Sequence, residues 1–190
     1  MYGIGDKVVY GALGVMEIVD ISNQTIGDVT REYYVMKEYS SLSSSLTYVP
    51  LANEELVAQM KPLLTKEEII DVIKTAKNSP PIEWEEDNRA RSEKYKKILA
   101  SADRVQMLSM IDSVYKTGIR REEEGKKNYI ADENSMKRAE KVINSEFSLV
   151  LGIPEGDVPE ILRTLNSEIH AIQLMMRQHQ FIHKKRTEQE

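Results

Sequence analysis

The only tryptophan of the chain, Trp84, stands beside residues that could bind nucleic acid. It follows the break at Ser79-Pro80-Pro81, and a run of basic residues begins a few positions after it. An aromatic ring flanked by cations can wedge between base pairs while the cations hold phosphates. A large aromatic residue is also commonly buried. Trp84 is therefore either a wedge against nucleic acid or an anchor that holds a loop on the core.

The cations that follow Trp84 lie within one predicted helix, from about residue 87 to residue 99. Helical spacing puts Arg89, Lys96 and Lys97 roughly on one side, where they could bridge phosphates. The other interpretation is an ordinary solvated helix face. The candidate DNA-binding residues are Trp84, Arg89, Arg91, Lys94, Lys96 and Lys97, and a small further cluster, Lys126 and Lys127, follows Gly125.

Residues that could support catalysis do not form a recognisable set. His179 and His183 are spaced i, i+4 and could together bind a metal. No HExxH pattern and no obvious acidic third ligand accompanies them. These two histidines and His170, the third in the chain, therefore fit a solvated surface. The sequence has no cysteine, no phosphate-binding glycine motif and no G-x-S-x-G motif. The carboxylates at 85–87 and 122–124 are typical of faces turned to water. We expect no enzymatic activity, no cofactor and no bound metal.

Charge is divided unevenly along the 190 residues, whose net charge is −5. Residues 1–60 hold three basic and eight acidic residues, and the remainder is balanced. An acidic front half favours a protein partner over nucleic acid, and a neutral rear half predicts weak, salt-sensitive DNA binding. No signal peptide and no apolar run of about 20 residues is visible. We expect a cytoplasmic protein that does not contact membranes, with a monomer as the favoured state.

Short strands are predicted in the front half, at 7–10, 15–21, 32–37 and 46–49. Gly11 and Gly14 mark a tight turn, and 22–30 and 40–45 are predicted loops. Several short strands within about 50 residues indicate a small SH3-like or Tudor-like barrel in residues 1–55. If that barrel is open, strand 32–37, beside 46–49, has a free edge to which a partner could add a strand. The alternative is an edge protected by charge at Arg31, Glu32, Lys37 and Glu38.

Helices are predicted from there to the end, so residues 56–190 form an all-α domain and the fold class is α+β. A short helix spans 53–60, and a capping box from Thr65 to Glu68 starts the next. Later helices run from about 87 to 99 and from about 101 to Gly118. Another extends from a cap at Asp132 to a C-cap at Gly152, and a last one begins at 157.

Several segments, taken in order and spacing, resemble the CarD family of bacterial RNA polymerase-binding transcription regulators. The similarity extends through about Pro154. Its segments are 5–10 (G-D-K-V-V-Y) with Gly14, 32–37 (E-Y-Y-V-M-K), 48–50 (Y-V-P), Trp84 with 88–91 (N-R-A-R), and 147–150 (F-S-L-V).

The resemblance implies a Tudor-like domain similar to the polymerase-interacting domain of the transcription-repair coupling factor. In the family, its sheet edge pairs with a lobe of the polymerase β subunit. The implied polymerase-binding residues are Arg31, Tyr33, Tyr34, Val35, Met36, Tyr48 and Pro50. The helical domain would meet promoter DNA at the upstream edge of the melted bubble, where the family tryptophan, matched by Trp84, wedges into the minor groove and steadies the open complex.

Three departures from the family pattern are visible. Ala12 and Leu13 stand in the turn where many relatives carry Pro and His, and Tyr48 replaces an arginine of several relatives. The acidic residues 85–87 lie where some relatives are basic. The alternative function is a protein-only adaptor, with an SH3-like peptide-binding domain on a helical scaffold.

Overall fold

The structure, a computed structural model, describes residues 1–39 and 45–164. His170, His179 and His183, two of which could pair on a metal but are not favoured to do so by the sequence, lie outside the described residues.

In residues 1–39 and 45–164, five antiparallel strands form one sheet in the order β4-β3-β2-β1-β5. The strands are β1 (Lys7–Tyr10), β2 (Val15–Ile26), β3 (Val29–Glu38), β4 (Leu46–Pro50) and β5 (Met60–Pro62). Helices follow the sheet, so the predicted α+β class is confirmed. Within the described residues the sheet is open, because β4 and β5 lie at opposite edges and do not pair with each other.

The longest ladder joins β2 to β3 and runs from Met16 opposite Glu38 to Ile26 opposite Val29. The polar loop predicted at 22–30 is therefore wrong, because most of this segment continues the two strands as a ribbon. A two-residue loop at Gly27-Asp28 reverses the chain, with Gly27 at a φ of 64°. Cross-strand pairing along the whole ribbon overrides the polar composition of the segment.

The described part of the chain contains six α-helices. They are α1 (Glu54–Ala58), α2 (Lys66–Asn78), α3 (Asn88–Ser101), α4 (Arg104–Glu123), α5 (Ile130–Leu151) and α6 (Val158–Thr164). The capping box is confirmed at the start of α2, where Thr65 Oγ1 accepts from the Glu68 N–H and Glu68 Oε2 accepts from the Thr65 N–H. The C-cap at Gly152 is confirmed by its left-handed conformation.

Two predicted helix ends are wrong. Helix α4 continues through Gly118 to Glu123, because Gly118 packs on Asn128 rather than ending the helix; an added Cβ would lie 3.2 Å from Asn128 Nδ2. Asp132 is not a cap, since α5 already begins at Ile130 and the Asp132 side chain is buried.

Two apolar cores hold together the elements that the structure describes. One lies on the sheet and contains Val8, Met16, Ile18, Tyr34, Met36, Val49 and Met60. The other fills the space among the helices, and Val9 and Val15 of the sheet belong to it. The sheet extends to Pro62 and so passes residue 55, the predicted boundary between two domains. Strands and helices thus share buried surface instead of being joined only by a linker.

Candidate functional site

An open sheet edge is the first candidate surface. Among the described residues, no strand pairs with the outer side of β4. The Leu51 N–H donates to the Glu32 carbonyl at 3.0 Å, which sets the direction of the backbone groups on this strand. Because backbone groups alternate in direction along an antiparallel strand, those of Thr47 and Val49 point to β3. The N–H and C=O groups of Leu46 and Tyr48 then point outward, where they can accept another strand.

Side chains on this edge add an apolar surface. Leu46 is 44% exposed and Tyr48 is 41% exposed. The Tyr48 ring meets the half-buried Tyr33 ring edge to face, with centroids 6.3 Å apart. We call this set the edge surface: Arg31, Tyr33, Leu46, Tyr48 and Pro50. Sequence reasoning missed Leu46, although its position two residues before Tyr48 puts both on the same face.

Three of the predicted polymerase-contacting residues are not accessible to a partner. Tyr34, Val35 and Met36 are buried, and their strand, β3, pairs with β2 on one side and β4 on the other. Neither their side chains nor their backbone groups are free to bind a partner. The prediction that strand 32–37 is an edge is wrong, because β4 covers it. Glu38, one of the charged residues expected to protect that strand, instead forms an ion pair with Lys141 of α5 at 2.6 Å.

The second candidate surface surrounds Trp84, in the segment between α2 and α3. Trp84 is half-buried and belongs to neither apolar core. The Arg91 guanidinium lies 4.1 Å from the Trp84 ring centroid, and the Tyr129 ring lies 6.2 Å away, tilted by 32°. Arg121 in turn lies over Tyr129 at 4.1 Å. These four residues, the Trp84 cluster, hold the indole in place while part of it stays open to solvent.

Arg91 is a structural residue of this cluster and not a free cation. It is 1% exposed, and its Nε donates to Asp132 Oδ2 at 2.9 Å. Its two other nitrogens donate to the Glu85 carbonyl at 2.6 Å and to Asn88 Oδ1 at 2.7 Å. Burial raises the pKa of the Asp132 carboxyl, and the Arg91 charge opposes that rise. The predicted phosphate contact of Arg91 does not fit this burial, and we leave Arg91 out of the DNA-contacting set.

The other predicted cations divide into two groups. Lys94 donates to the Glu83 carbonyl at 3.0 Å and so fastens the Trp84 segment to α3. Arg89, Lys96 and Lys97 are exposed on α3, and Lys96 pairs with Glu93 at 2.7 Å. Of the six predicted DNA-binding residues, Trp84 and these three cations are open to a partner.

A groove of about 220 Å³ runs beside Trp84 between α4 and α5. Tyr115, Arg121 and Tyr129 line it together with Asn128. Sequence reasoning missed Tyr129 and Arg121, because their link to Trp84 joins residues far apart in the chain. The cations Lys126 and Lys127, noted from the sequence, are exposed on the turn that leads into this groove.

Acidic residues near Trp84 are partly explained by local structure. Asp87 caps α3, accepting from the Ala90 N–H at 2.7 Å, and Glu85 serves Arg91 through its carbonyl. In the described parts of the chain, no three histidine or acidic side chains converge as metal ligands would. No helix in those same parts has the length and apolar character needed to cross a bilayer.

Comparison with protein families gives one match. Residues 2–63 match the family model described as the CarD-like/TRCF RID domain. The matched span covers all five strands and ends just after β5. The comparison with curated proteins gave no match.

Proposed function

We propose that the protein steadies open promoter complexes, because residues 2–63 match the model of the CarD-like/TRCF RID family, whose domains interact with RNA polymerase in transcription. In this proposal the sheet binds a lobe of the polymerase β subunit and the helical part meets DNA at the upstream edge of the bubble. The observation that carries the proposal is that the family match coincides with a sheet whose β4 edge is open.

The edge surface would bind polymerase by strand addition. The outward backbone groups of Leu46 and Tyr48 supply hydrogen bonds, and the paired rings of Tyr33 and Tyr48 supply apolar contact. Tyr48 stands where several relatives have an arginine, so we propose that ring packing replaces a charged contact here. Arg31 and Pro50 would complete the contact from either side of the rings.

Trp84 would act as the wedge against DNA. Its ring is held from one side by Arg91 and Tyr129, so little conformational freedom is lost when it meets a base step. Inserting an aromatic ring costs unstacking energy, which is smaller where the duplex is already opening. The wedge therefore favours the open state, and a preference of about 1.4 kcal/mol would shift the equilibrium about tenfold.

The proposed role needs no catalysis. We propose that the protein is not an enzyme, uses no cofactor and works as a cytoplasmic monomer beside polymerase. Arg89, Lys96 and Lys97 would contribute weak phosphate contacts, which suffice because the polymerase-bound sheet keeps the helices near DNA.

The second candidate function is a protein-only adaptor. The open β4 edge favours it, because strand addition needs no DNA. The two candidates differ in their response to salt and to loss of Arg89. Promoter contact that weakens with salt and with Arg89→Ala would exclude the adaptor.

The first test is the lifetime of open complexes formed by purified bacterial polymerase holoenzyme, alone, with the protein, and with its Trp84→Ala variant. We expect the protein to lengthen the lifetime on the order of tenfold, and Trp84→Ala to remove most of this effect. Trp84→Tyr, which keeps an aromatic ring, should retain part of it. Thermal unfolding is the control, because Trp84 lies outside both cores and its loss should leave the fold intact. Unfolding of Trp84→Ala would instead make Trp84 an anchor and end the wedge proposal.

A further inference from the structure

We propose that the buried pair of Arg104 and Glu146 fixes the orientation of the helices relative to the polymerase-binding sheet, so that Trp84 is aimed at DNA when the sheet is bound. The inference rests on the proposed function and names two positioning residues for it. Neither side chain lies in the edge surface or in the Trp84 cluster.

The pair joins α4 to α5 in the interior. Glu146 is fully buried and Arg104 is 7% exposed. The Arg104 guanidinium donates two hydrogen bonds to the Glu146 carboxylate. Nε donates to Oε2 and Nη2 donates to Oε1, both at 2.8 Å. Such a two-point contact fixes direction as well as distance.

The remaining hydrogen bonds of the pair reach the chain segment that leaves the sheet. Arg104 Nη2 donates to the carbonyl of Pro62, the last residue of β5, at 3.0 Å. Glu146 Oε1 accepts from the Leu64 N–H at 3.0 Å. One ion pair therefore holds both sides of the junction between sheet and helices. Arg104 Nη1 also donates to the Ala102 carbonyl at 2.7 Å, so all three guanidinium nitrogens have an acceptor.

A close packing contact next to this junction agrees with a fixed orientation. Gly14 lies against α5, where an added Cβ would stand 3.0 Å from Ser145 Oγ. Val9 and Val15 of the sheet are buried in the helical core. Apolar packing tolerates small shifts more readily than a two-point charged contact does, so the pair is the part of the interface that sets the angle.

The functional consequence concerns effective concentration. A flexible connection would let the helices sample many directions while the sheet is bound. A fixed junction restricts Trp84 to one region near the bound polymerase, which raises its effective concentration at the DNA step. Loosening the junction should thus weaken the open-complex effect while leaving each separate binding activity intact.

The test uses Arg104→Met combined with Glu146→Leu in the full chain. Replacing both charges with apolar groups leaves no unpaired buried ion, so the fold should survive while the bonds to Pro62 and Leu64 are lost. The matched control is Glu38→Gln with Lys141→Gln, which removes a partly exposed ion pair that also joins sheet to helices. Arg104→Lys, which keeps the two buried charges paired but cannot form the two-point contact, is the second variant should the first not fold.

We measure three quantities for each variant: affinity for polymerase, affinity for forked promoter DNA in the absence of polymerase, and open-complex lifetime. The double variant is expected to keep both affinities within about twofold of those of the starting protein. Its lengthening of the open-complex lifetime is expected to be at least about five-fold smaller than that of the starting protein. Arg104→Lys should show an intermediate loss of the lifetime effect, and the Glu38/Lys141 control should show none. A full lifetime effect in the folded double variant would overturn the inference.

A direct readout of orientation separates this inference from the proposed function. The chain has no cysteine, so Val19→Cys and Lys116→Cys provide two exposed sites for spin labels. Double electron–electron resonance should give a narrow distribution of the distance between the two spin labels in the starting protein and a broad one in the double variant. An equally narrow distribution in both would overturn the fixed-junction role. If the starting protein never prolongs open complexes, the proposed function fails and this distance measurement still decides the role of the pair.

Discussion

Arginine performs distinct tasks at different sites of this protein, and burial separates them. Arg91 and Arg104 are buried, and each donates to a carboxylate and to at least one backbone carbonyl, with Asn88 Oδ1 as a further acceptor for Arg91. Arg89 is exposed on α3. A planar guanidinium with five donors suits the buried tasks, because every donor needs a partner once water is removed. The same residue type therefore serves architecture at 91 and 104 and is open to phosphate at 89.

Replacing Arg91 by alanine should destabilise the fold far more than replacing Arg89. Loss of Arg91 leaves the buried Asp132 carboxylate without its cation, so the free energy of unfolding should fall by roughly 3–5 kcal/mol. Arg89→Ala removes an exposed side chain and should change it by about 0.5 kcal/mol or less. Urea unfolding measures both. Equal effects of the two variants would contradict the structural role of Arg91, and Arg91→Ala with Asp132→Ala should recover part of the loss.

Strand β4 is the element on which polymerase binding rests in our proposal. It is short, it lies at the edge in the described sheet, and its outward groups belong to Leu46 and Tyr48. Its inward groups are used by β3, so a partner can use only every second residue. Backbone and side-chain contributions can thus be separated at one position.

Tyr48→Pro should weaken polymerase binding more than Tyr48→Ala. Both substitutions remove the ring, but proline also removes the outward N–H, which is worth about 1 kcal/mol or roughly five-fold in affinity. Affinity of each purified variant for polymerase holoenzyme is the measurement. Thr47→Pro is the control for damage to the sheet, because its N–H points to β3. Equal binding by Tyr48→Pro and Tyr48→Ala would show that the partner does not use the backbone of this strand.

Helix α3 carries Tyr95 into the core opposite its exposed cations. Burial raises the pKa of the Tyr95 hydroxyl to about 12, and the nearby Asp132 charge adds to the rise. In the unfolded chain a tyrosine titrates near 10. The folded state then holds this proton more tightly, so its contribution to stability is full below about pH 10 and is lost as the pH rises through about 12.

Tyr95→Phe should therefore flatten the alkaline loss of stability. The expected result is a smaller drop in the free energy of unfolding between pH 10 and pH 12 than in the starting protein, measured by urea titration at several pH values. Other tyrosines and lysines titrate in both proteins, so the difference between the two curves isolates Tyr95. Parallel curves would mean that Tyr95 ionises as freely in the folded state as in the unfolded chain.

At the scale of the whole molecule, the charge distribution differs between the two parts of the chain, and apolar packing joins them. The acidic first 60 residues suit a protein partner, and the balanced remainder offers DNA only a few cations. Shared core residues such as Val9 and Val15 keep the two parts together. In the proposed function, weak DNA contact combined with attachment to polymerase would restrict promoter binding to sites where polymerase is already bound.

Direct binding of the protein to promoter DNA should be weak and only moderately dependent on salt. About two or three phosphate contacts, the number that Arg89, Lys96 and Lys97 could make, predict a loss of roughly 10–40-fold in affinity between 50 and 200 mM salt. Fluorescence anisotropy with forked promoter DNA measures this slope. A much steeper slope would point to a larger phosphate-binding surface, with Lys126 and Lys127 as the first candidates for substitution.

The features that the sequence by itself determined are those set by interactions between residues close together in the chain. Alternating and helical periodicities predicted the α+β class, and the capping box at Thr65 and the glycine C-cap at Gly152 were found where local hydrogen bonding required them. The family resemblance was confirmed over residues 2–63 for the same reason, since its motifs are short runs of adjacent residues. The open-complex role and the DNA contacts of Trp84 stay predictions.

Only the tertiary structure decided which of the proposed site residues are free. Strand order made β3 an interior strand and β4 the edge, which buried Tyr34, Val35 and Met36. The fate of Arg91 depended on Asp132, 41 residues away, and that of Arg104 on Glu146, 42 residues away. Contacts over such separations arise from packing of whole elements, and no local pattern of residue types encodes whether a cation faces water or a buried carboxylate.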